Sequence, residues 1–275
     1  NNPTINNSMF ANLRVKDAIV DRIRDKRGSR PSTGSELTGT VIHLFWKNED
    51  ATIFVDTTGD SLARHGYRKI PGLAPMLEGL AAATIYATRW DKVSPFINPM
   101  CGSGTLAIEA AMIATNRVPG LFRTNYAFMH VQGYDEMVYL KEDALLEQQI
   151  TDVPELKIIA TDISAKAIEN AKKNAIAAGV EKLIDFEVCE FAETDVPVDA
   201  AGVMMINPEY GFGGMMTVDV GSLDKANELM ELMQAKNLGY LAVSLGFYKT
   251  LFSAPGSSTS SEIPLEEQVE MGLTD

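Results

Sequence analysis

Cysteine and histidine are scarce in this chain of 275 residues, and their scarcity argues against two kinds of site. The two cysteines, Cys101 and Cys189, form no CxxC pair, so we expect neither a disulfide framework nor a zinc site. A reducing cytoplasm is the expected compartment. The three histidines, at positions 43, 65 and 130, are isolated and lack the spacing of metal ligands, so we expect no metal centre.

Long apolar runs are also missing. No run approaches the roughly 18 apolar residues of a membrane helix, and no basic segment followed by an apolar one opens the sequence as a secretion signal would. The chain is 45% hydrophobic and 22% charged, which is ordinary for a globular protein. The composition therefore predicts one large domain or one and a half, with no membrane partner.

Positive charge is in short supply, because 24 Lys and Arg face 37 Asp and Glu. The net charge of -13 argues against general affinity for nucleic acids. Residues 1–70 differ, with eleven basic against eight acidic side chains. The basic groups there include Arg14, Lys16, Arg22, Arg24, Lys26, Arg27, Arg30, Arg64, Arg68 and Lys69. This asymmetry favours a region that contacts a polyanion, although the interleaved Asp17, Asp21 and Asp25 fit a solvated helix face equally well.

Short β-rich apolar runs alternate with helical periodicity, which predicts an α/β fold with a parallel sheet and helices on both faces. The expected strands of this sheet lie at residues 93–97, 156–160, 183–189, 203–206 and 240–245, with two short ones at 263–265 and 269–273. The expected helices lie at residues 10–27, 75–89, 106–114, 164–178 and 223–236. Residues 117–150 are expected to be an insertion that is partly helical near its end.

The first part of the chain has its own pattern. Residues 41–46 and 51–56 are apolar and β-rich and are joined by a short polar turn, which predicts a hairpin. This hairpin and the helix at 10–27 bury too little to form a whole domain, so we expect the sequence to begin inside one. Residues 59–72 are expected to be a linker rich in glycine and arginine.

Residues 98–105 read NPMCGSGT and stand between an expected strand and an expected helix. Gly102 and Gly104 permit positive φ and let a ligand approach bare backbone at a helix N-terminus, although a simple tight connection would also explain them. The run to Ala107 also fits the G-x-G-x-x-A pattern of nicotinamide enzymes. That interpretation is disfavoured, because the next acid at a strand end, Asp162, lies beyond the insertion rather than about 20 positions on.

Four polar residues fall at or just past expected strand ends: Asn98, Asp162, Glu190 and Asn207. In open parallel sheets, ligands bind at the carboxyl ends of the strands. The Asp162 carboxylate could accept both hydroxyl hydrogens of a ribose. Its other interpretation is a helix cap ahead of Ser164.

Residues 98–105, followed by IEAA at 108–111, closely resemble motif I of the THUMP-containing RNA methyltransferases. These are relatives of bacterial large-subunit ribosomal RNA guanine-N2 methyltransferases, often labelled N6-adenine-specific DNA methylases, and they usually have Asp where Asn98 stands. The resemblance extends over nearly the whole chain, with further matching stretches at residues 15–22, 56–62, 64–68, 74–78, 239–240 and 263–265. It implies a Rossmann-like class I methyltransferase domain at 67–275, preceded at 1–66 by a partial α+β THUMP region, which binds RNA, and a linker.

The resemblance also implies S-adenosylmethionine as the cofactor. Gly102 and Gly104 would pass under its methionine part, and Asp162 would hold its ribose. Glu190 stands where the family has Asp for the adenine amino group, although it could also be a loop acid facing solvent. The implied cofactor-binding residues are Asn98, Pro99, Cys101, Gly102, Gly104, Thr105, Asp162, Ile163, Glu190 and Phe191.

Residues 207–210 read NPEY and stand at the family's N/D-P-P-Y/F motif, which implies catalytic roles for Asn207, Pro208 and Tyr210. The Asn side chain and the Pro carbonyl would accept the two hydrogens of an exocyclic amine, and the ring would stack on an extruded base. Glu209 replaces the second Pro, and GFGG at 211–214 replaces the usual Gly-Glu-Arg.

Several functions remain open from the sequence. The leading hypothesis is methyl transfer to guanine N2 in RNA. The alternative acceptor is adenine N6 of a nucleic acid. A catalytically weak relative that binds RNA or cofactor is favoured by Glu209. A nicotinamide oxidoreductase is the third class.

Overall fold

The structure is a computed structural model that describes residues 7–34, 39–72, 75–197, 202–207 and 240–244. Its helices are α1 (Ser8–Arg27), α2 (Glu78–Ala87), α3 (Thr105–Ala114), α4 (Glu136–Glu147) and α5 (Ala165–Ala178). Its strands are β1 (Val41–Lys47), β2 (Asp50–Asp56), β3 (Phe96–Asn98), β4 (Ile158–Asp162), β5 (Ile184–Val188), β6 (Gly202–Ile206) and β7 (Tyr240–Ser244). None of the helices in these ranges is both long and apolar enough to cross a membrane.

Strands β3 to β7 form one sheet in the order β5-β4-β3-β6-β7, and every neighbouring pair is parallel. The α/β fold with a parallel sheet, predicted from the alternation of strand and helix patterns, is therefore confirmed. The expected strand positions are also confirmed to within two or three residues, with β3 beginning at Phe96.

The direction of strand addition reverses next to β3. The chain runs outward from β3 to β4 and β5, and then returns to place β6 on the other side of β3. The carboxyl ends of β3 and β6 therefore flank the switch point, where open α/β sheets hold their ligands. The glycine-rich turn follows β3, and Asn207 follows β6.

The core lies between one face of the sheet and helices α3 and α5. Helix α3 is apolar on nearly all sides and nine of its ten residues are buried, as expected for a helix surrounded by protein. Phe96, Ile158 and Ala160 face these helices from the sheet. On the other face, Ile97, Ile159, Met204 and Ile206 form a second buried cluster. Burial on both faces explains why these strands are continuous apolar runs in the sequence.

Helix α5 begins and ends where its sequence predicts. The Ser164 hydroxyl accepts a hydrogen bond from the Ala167 N–H at 3.2 Å, and Gly179 adopts a left-handed conformation with φ of 69°. A serine at the N-cap and a glycine just past the last turn are the preferred residues at these positions.

Helix α2 begins later than predicted. The expectation was a start at Pro75, but the first helical residue is Glu78 and Leu77 is extended, with ψ of 135°. The Arg68 guanidinium donates a hydrogen bond to the Met76 carbonyl, which holds this segment in a non-helical path. The expectation was wrong because the partner that fixes this segment lies eight positions earlier.

Residues 117–150 contain 3-10 turns at Pro119–Phe122 and Ala127–His130 and end in α4, as predicted for a partly helical insertion. The predicted helix at 223–236 and the predicted strands at 263–265 and 269–273 lie outside the described residues.

The N-terminal region consists of α1 and the antiparallel β1–β2 hairpin, as predicted. The Asn7 side chain caps α1 by accepting from the Met9 and Phe10 N–H groups, and Gly28 ends the helix in a left-handed conformation. Large apolar side chains in both elements remain more than half exposed, among them Phe10, Phe45, Ile53, Phe54 and Val55. The assignment of residues 1–66 to a partial THUMP region remains a prediction, as does the boundary with 67–275.

Candidate active site

The turn at residues 98–105 is held in a strained, specific shape between β3 and α3. Met100, Gly102 and Gly104 all have positive φ, at 53°, 56° and 83°. The Cys101 N–H donates to the Thr161 carbonyl of β4 at 2.9 Å, and the Gly104 N–H donates to the Cys101 carbonyl at 2.9 Å. The turn is therefore fixed against the neighbouring strand before α3 begins.

The two glycines of the turn have different surroundings. A Cβ on Gly104 would lie 2.9 Å from the Cβ of Ala171, so this position requires glycine for close packing of the turn on α5. A Cβ on Gly102 would meet no atom of the described residues within 4 Å. Gly102 therefore marks the open side of the turn, where a ligand could contact bare backbone at the α3 N-terminus.

Asp162, at the end of β4, lies directly beside this turn. Its Oδ2 accepts a hydrogen bond from the Gly102 N–H at 2.9 Å, and its Oδ1 accepts one from the Ser164 N–H at 2.9 Å. The carboxylate thus supports both the turn and the backbone of Ser164, the residue that caps α5. Each oxygen still has a free lone pair, because a carboxylate can accept about four hydrogen bonds.

Asn98, the last residue of β3, connects the two sides of the switch point. Its Nδ2 donates to the Met205 carbonyl of β6 at 2.8 Å, and the residue is only 1% exposed. Its Oδ1 is buried and has no hydrogen-bond partner among the described residues. Because a buried acceptor of this kind normally has a partner, the Asn98 Oδ1 is available to accept a hydrogen bond from a ligand.

Cys101 is buried within the turn. Burial, followed by the negative charge of Asp162, raises the pKa of its thiol well above the ordinary value. The thiol therefore stays protonated at neutral pH and is a poor nucleophile. Its place in the site is structural, since its main-chain groups hold the turn to Thr161 and Gly104.

Thr105 begins α3, and its hydroxyl accepts a hydrogen bond from an arginine that precedes it by 37 positions. An Arg68 terminal nitrogen donates to the Thr105 hydroxyl at 2.8 Å. The Arg68 Nε also lies 3.7 Å from a carboxylate oxygen of Glu78, in a largely buried ion pair. The sequence placed Arg68 in the expected linker at 59–72, whereas the structure places its guanidinium against the glycine turn.

Other predicted cofactor residues lie near the ends of β4 and β5. Glu190 is exposed and forms a capping box with Glu193 at the 3-10 turn Phe191–Glu193, and Phe191 is half-buried. Ile163 is 70% exposed just past β4. The Cys189 N–H donates to the Asp162 carbonyl at 3.2 Å, which brings this loop close to Asp162.

The predicted catalytic motif is only partly described. Asn207 is half-buried and follows β6 directly, so it leaves the same edge of the sheet as the glycine turn. Pro208 and Tyr210 lie outside the described residues, as does Glu209. Within the described ranges, no group of three or more His, Cys, Asp or Glu side chains is arranged to hold a metal ion.

Two buried polar residues near the turn were not singled out from the sequence. Glu109 in α3 is 1% exposed, with Oε1 2.7 Å from His65 Nδ1. Asn174 in α5 is fully buried and contacts the turn at Ser103. The sequence did contain a signal for Asn174. It lies three positions after Ala171 and four before Ala178, which puts a polar side chain on the apolar face of its helix.

A parallel sheet with a glycine turn and a strand-end acid at its switch point defines a Rossmann-like α/β domain with a ligand site. Residues 65–245 match the family described as RMKL-like, methyltransferase domain. This match covers about two thirds of the sequence. The chain therefore belongs to the RMKL-like methyltransferase domain family.

Solved structures support the same assignment. The protein SMU.472, crystallised in complex with SAH, is 30% identical with a TM-score of 0.69, over 83% of this chain and 59% of that one. A predicted N6-adenine-specific DNA methylase from Listeria monocytogenes is 31% identical with a TM-score of 0.72, over 86% of this chain and 60% of that one. The chain spans about 60% of the length of these two proteins.

Proposed function

We propose that this chain is a methyltransferase that uses S-adenosylmethionine to methylate an exocyclic amine of a base in RNA, with guanine N2 as the preferred acceptor. The observation that carries the proposal is the open Gly102 turn beside Asp162 at the sheet's switch point. The family membership supports it, as does the similar protein SMU.472, which was crystallised with SAH.

The residues of the turn fit this cofactor. The open backbone at Gly102 and the positive end of α3 suit the amino-acid part, and the buried Asn98 Oδ1 is an acceptor with no partner in the described part of the chain. The free lone pairs of Asp162 suit ribose hydroxyls, and Glu190 and Phe191 would contact the adenine. When bound, the cofactor supplies a methyl group on a sulfonium, which is already a strong donor. The protein's contribution is then mainly to position the acceptor.

Asn207 carries the choice of an amine as the acceptor. Its side-chain oxygen and the Pro208 carbonyl would accept the two hydrogens and orient the nitrogen lone pair toward the methyl group. The ring of Tyr210 would stack on the base, an interaction of about 1–3 kcal/mol per base. The position of Asn207, at the strand end next to the glycine turn, supports this role.

RNA is proposed because basic side chains on α1 are free to contact phosphates. Arg22 and Arg27 are exposed and form no ion pair within the described part of the chain. Other basic groups are already neutralised, since Arg24 pairs with Asp21 and Asp25 and Arg30 pairs with Asp17. The acidic remainder of the chain could not hold a polyanion by itself.

A second candidate is methylation of adenine N6 in DNA. It is favoured by the likeness to the Listeria monocytogenes protein, whose description names that reaction. The same pair of acceptors at Asn207 and Pro208 would suit this amine, so the local chemistry does not separate the two candidates.

Incubation of the full chain with methyl-labelled S-adenosylmethionine and unmodified ribosomal RNA or duplex DNA tests both candidates. Mass spectrometry of the digested nucleosides should show N2-methylguanosine from RNA. An Asn207→Ala variant should lose methyl transfer while its affinity for S-adenosylhomocysteine stays within about twofold of the wild-type value. N6-methyladenine in DNA would establish the second candidate. Cofactor binding without methyl transfer to either nucleic acid would favour the catalytically weak relative.

A further inference from the structure

Asn174 is a fully buried polar residue on the apolar face of α5, among Ile168, Ala171, Ala175 and Ala178. A buried amide is costly unless its hydrogen-bonding groups have partners. Here the side chain makes four hydrogen bonds, and all of them go to main-chain atoms of segments far away in the sequence. Such a residue ties together segments that are far apart in the sequence.

One of these segments is the strap, which we define as residues 65–72. The Asn174 Oδ1 accepts hydrogen bonds from the Lys69 and Ile70 N–H groups, each at 3.0 Å. The Nδ2 donates to the Ile70 carbonyl at 2.9 Å. Both edges of the Ile70 backbone are thus held by one side chain, which fixes the strap against α5.

The other segment is the glycine turn. The Asn174 Nδ2 also donates to the Ser103 carbonyl at 3.1 Å. That carbonyl belongs to the peptide unit whose N–H, on Gly104, donates to the Cys101 carbonyl at 2.9 Å. The peptide plane that precedes α3 is therefore held at both ends, and its orientation is set before any ligand arrives.

The strap contacts the turn or α3 at its start, its middle and its end. At its start, His65 Nδ1 lies 2.7 Å from Glu109 Oε1 in α3. Arg68 contacts the Thr105 hydroxyl at 2.8 Å. At its end, a Cβ on Gly72 would lie 3.8 Å from the Cβ of Ser103. The strap therefore forms a wall beside the turn, although it precedes the first strand of the sheet.

We infer that Asn174 is a positioning residue for the cofactor site. It holds the strap and the Ser103–Gly104 peptide in the arrangement that receives the amino-acid part of the cofactor. This inference rests on the proposed function, because it takes S-adenosylmethionine as the ligand of the turn. Preorganising a binding loop increases affinity by removing the cost of ordering it on binding.

Two probes separate positioning from general stability. S-adenosylhomocysteine carries the amino-acid part that would pass the turn, whereas 5′-methylthioadenosine lacks it. In the Asn174→Asp variant, a carboxylate oxygen replaces the NH2 group that faces the carbonyls of Ser103 and Ile70, while the acceptor for Lys69 remains. We expect this variant of the full chain to bind S-adenosylhomocysteine at least tenfold more weakly and methylthioadenosine less than threefold more weakly, by calorimetry.

An Ala178→Gly variant is the matched control, because it destabilises the same helix and leaves the four hydrogen bonds of Asn174 in place. Its affinities for both probes should stay within twofold of wild type. Circular dichroism checks each fold, and if the Asp variant is unfolded, Asn174→Ala should show the same difference between probes. Equal losses for both probes, or no loss for S-adenosylhomocysteine, would overturn the inference alone. Failure of the wild-type chain to bind S-adenosylhomocysteine would overturn the proposed function and this inference together.

Discussion

Asp162 uses its two carboxylate oxygens for two different segments, the Gly102 N–H and the Ser164 N–H. The sequence offered two interpretations of this residue, a ribose-binding acid and a cap for the following helix. The geometry shows that the second does not exclude the first, because each oxygen has a further lone pair. A substitution at Asp162 therefore needs a control that removes only the capping contribution.

We expect Asp162→Ala to weaken binding of S-adenosylhomocysteine by about 1.5–3 kcal/mol, since hydrogen bonds to a charged acceptor contribute this much. Ser164→Ala is the control, because it removes the hydrogen bond to the Ala167 N–H and leaves the carboxylate in place. Calorimetry should show a loss of affinity for the first variant only. Equal affinities for the wild type and Asp162→Ala would leave Asp162 as a support for the turn and α5.

Residue identity alone did not indicate the roles of Asn174 and Arg68. Asn174 bonds Lys69 and Ile70 from more than a hundred positions away, so no local pattern in the sequence contains both partners. Arg68 likewise finds Thr105 only after the sheet has formed. The features that were correctly anticipated, such as the positive φ of Gly104 and the helix start at Ser164, follow local backbone rules that depend on neighbours within a few positions. The packing of Gly104 on Ala171 is a contact between distant segments and was not anticipated.

At the scale of elements, the glycine turn combines two different requirements at positions separated by one residue. Gly104 has positive φ and no room for a side chain, whereas Gly102 has positive φ and open space. Packing on α5 explains the first glycine, and access to the backbone explains the second. The two substitutions should therefore have different consequences.

Gly104→Ala should lower the free energy of unfolding by about 2–4 kcal/mol, through left-handed strain and the contact with Ala171. Gly102→Ala should cost only about 1–2 kcal/mol of stability but should weaken S-adenosylhomocysteine binding at least tenfold. Gly28→Ala is its control, because Gly28 also has positive φ, at 76°, and open space around it, in a helix end distant in sequence. Urea unfolding and calorimetry measure the two effects, and an unchanged affinity in Gly102→Ala would contradict the proposed site.

The end of the β1–β2 hairpin depends on an ionised carboxylate. A hydrogen bond with the His43 side chain, followed by those from the Thr58 and Gly59 N–H groups, lowers the pKa of Asp56. A lowered folded-state pKa means that the stabilisation is present above the ordinary Asp value of about 3.9 and is lost as the pH falls through the folded-state value. The turn after β2 should therefore loosen only in acid.

Amide hydrogen exchange at Thr58 and Gly59 should accelerate relative to neighbouring residues as the pH falls below about 4, after correction for intrinsic rates. An Asp56→Ala variant, which lacks the Oδ1 acceptor of both N–H groups, should exchange faster at neutral pH and show no such acid transition. Protection that is the same in both proteins across this range would show that the carboxylate does not hold the turn.

At the scale of the whole molecule, charge is divided unevenly along the chain. The net charge is -13, yet exposed basic side chains such as Arg22 and Arg27 lie on α1. If RNA binds this helix, each phosphate contact releases counterions and makes the affinity depend on salt.

Neutralising Arg22 and Arg27 together should weaken RNA binding and reduce the slope of log affinity against log salt by roughly 1.5–2. A Lys141→Gln and Lys172→Gln double variant changes the net charge equally, at exposed positions of α4 and α5. Filter binding at several salt concentrations should show the smaller slope for the arginine variant alone. Identical slopes for the two double variants would exclude a specific RNA contact on α1.

The sequence predicted the elements of this molecule better than their arrangement. Buried strands and capped helices have local signatures, which is why β3 to β7 and α5 were located correctly. The strand order depends on contacts between distant segments, and the late start of α2 follows from a side-chain hydrogen bond, from Arg68 to the Met76 carbonyl, that no helix pattern reveals. The polar connections among the strap, the turn and α5 were hidden for the same reason.

The pairing of β3 with β6 has a consequence for the newly made chain. Phe96 and Ile97 pair with Val203 and Met204. During synthesis, β3 therefore lacks this partner strand until more than a hundred further residues have been added. At the usual rate of about 5–20 residues per second, the ribosome needs roughly 5–20 s to supply it. During that interval one apolar edge of β3 is unpaired and open to association with other chains. The glycine turn is therefore synthesised well before Asn207 can join it, and chaperone protection would matter most in this interval.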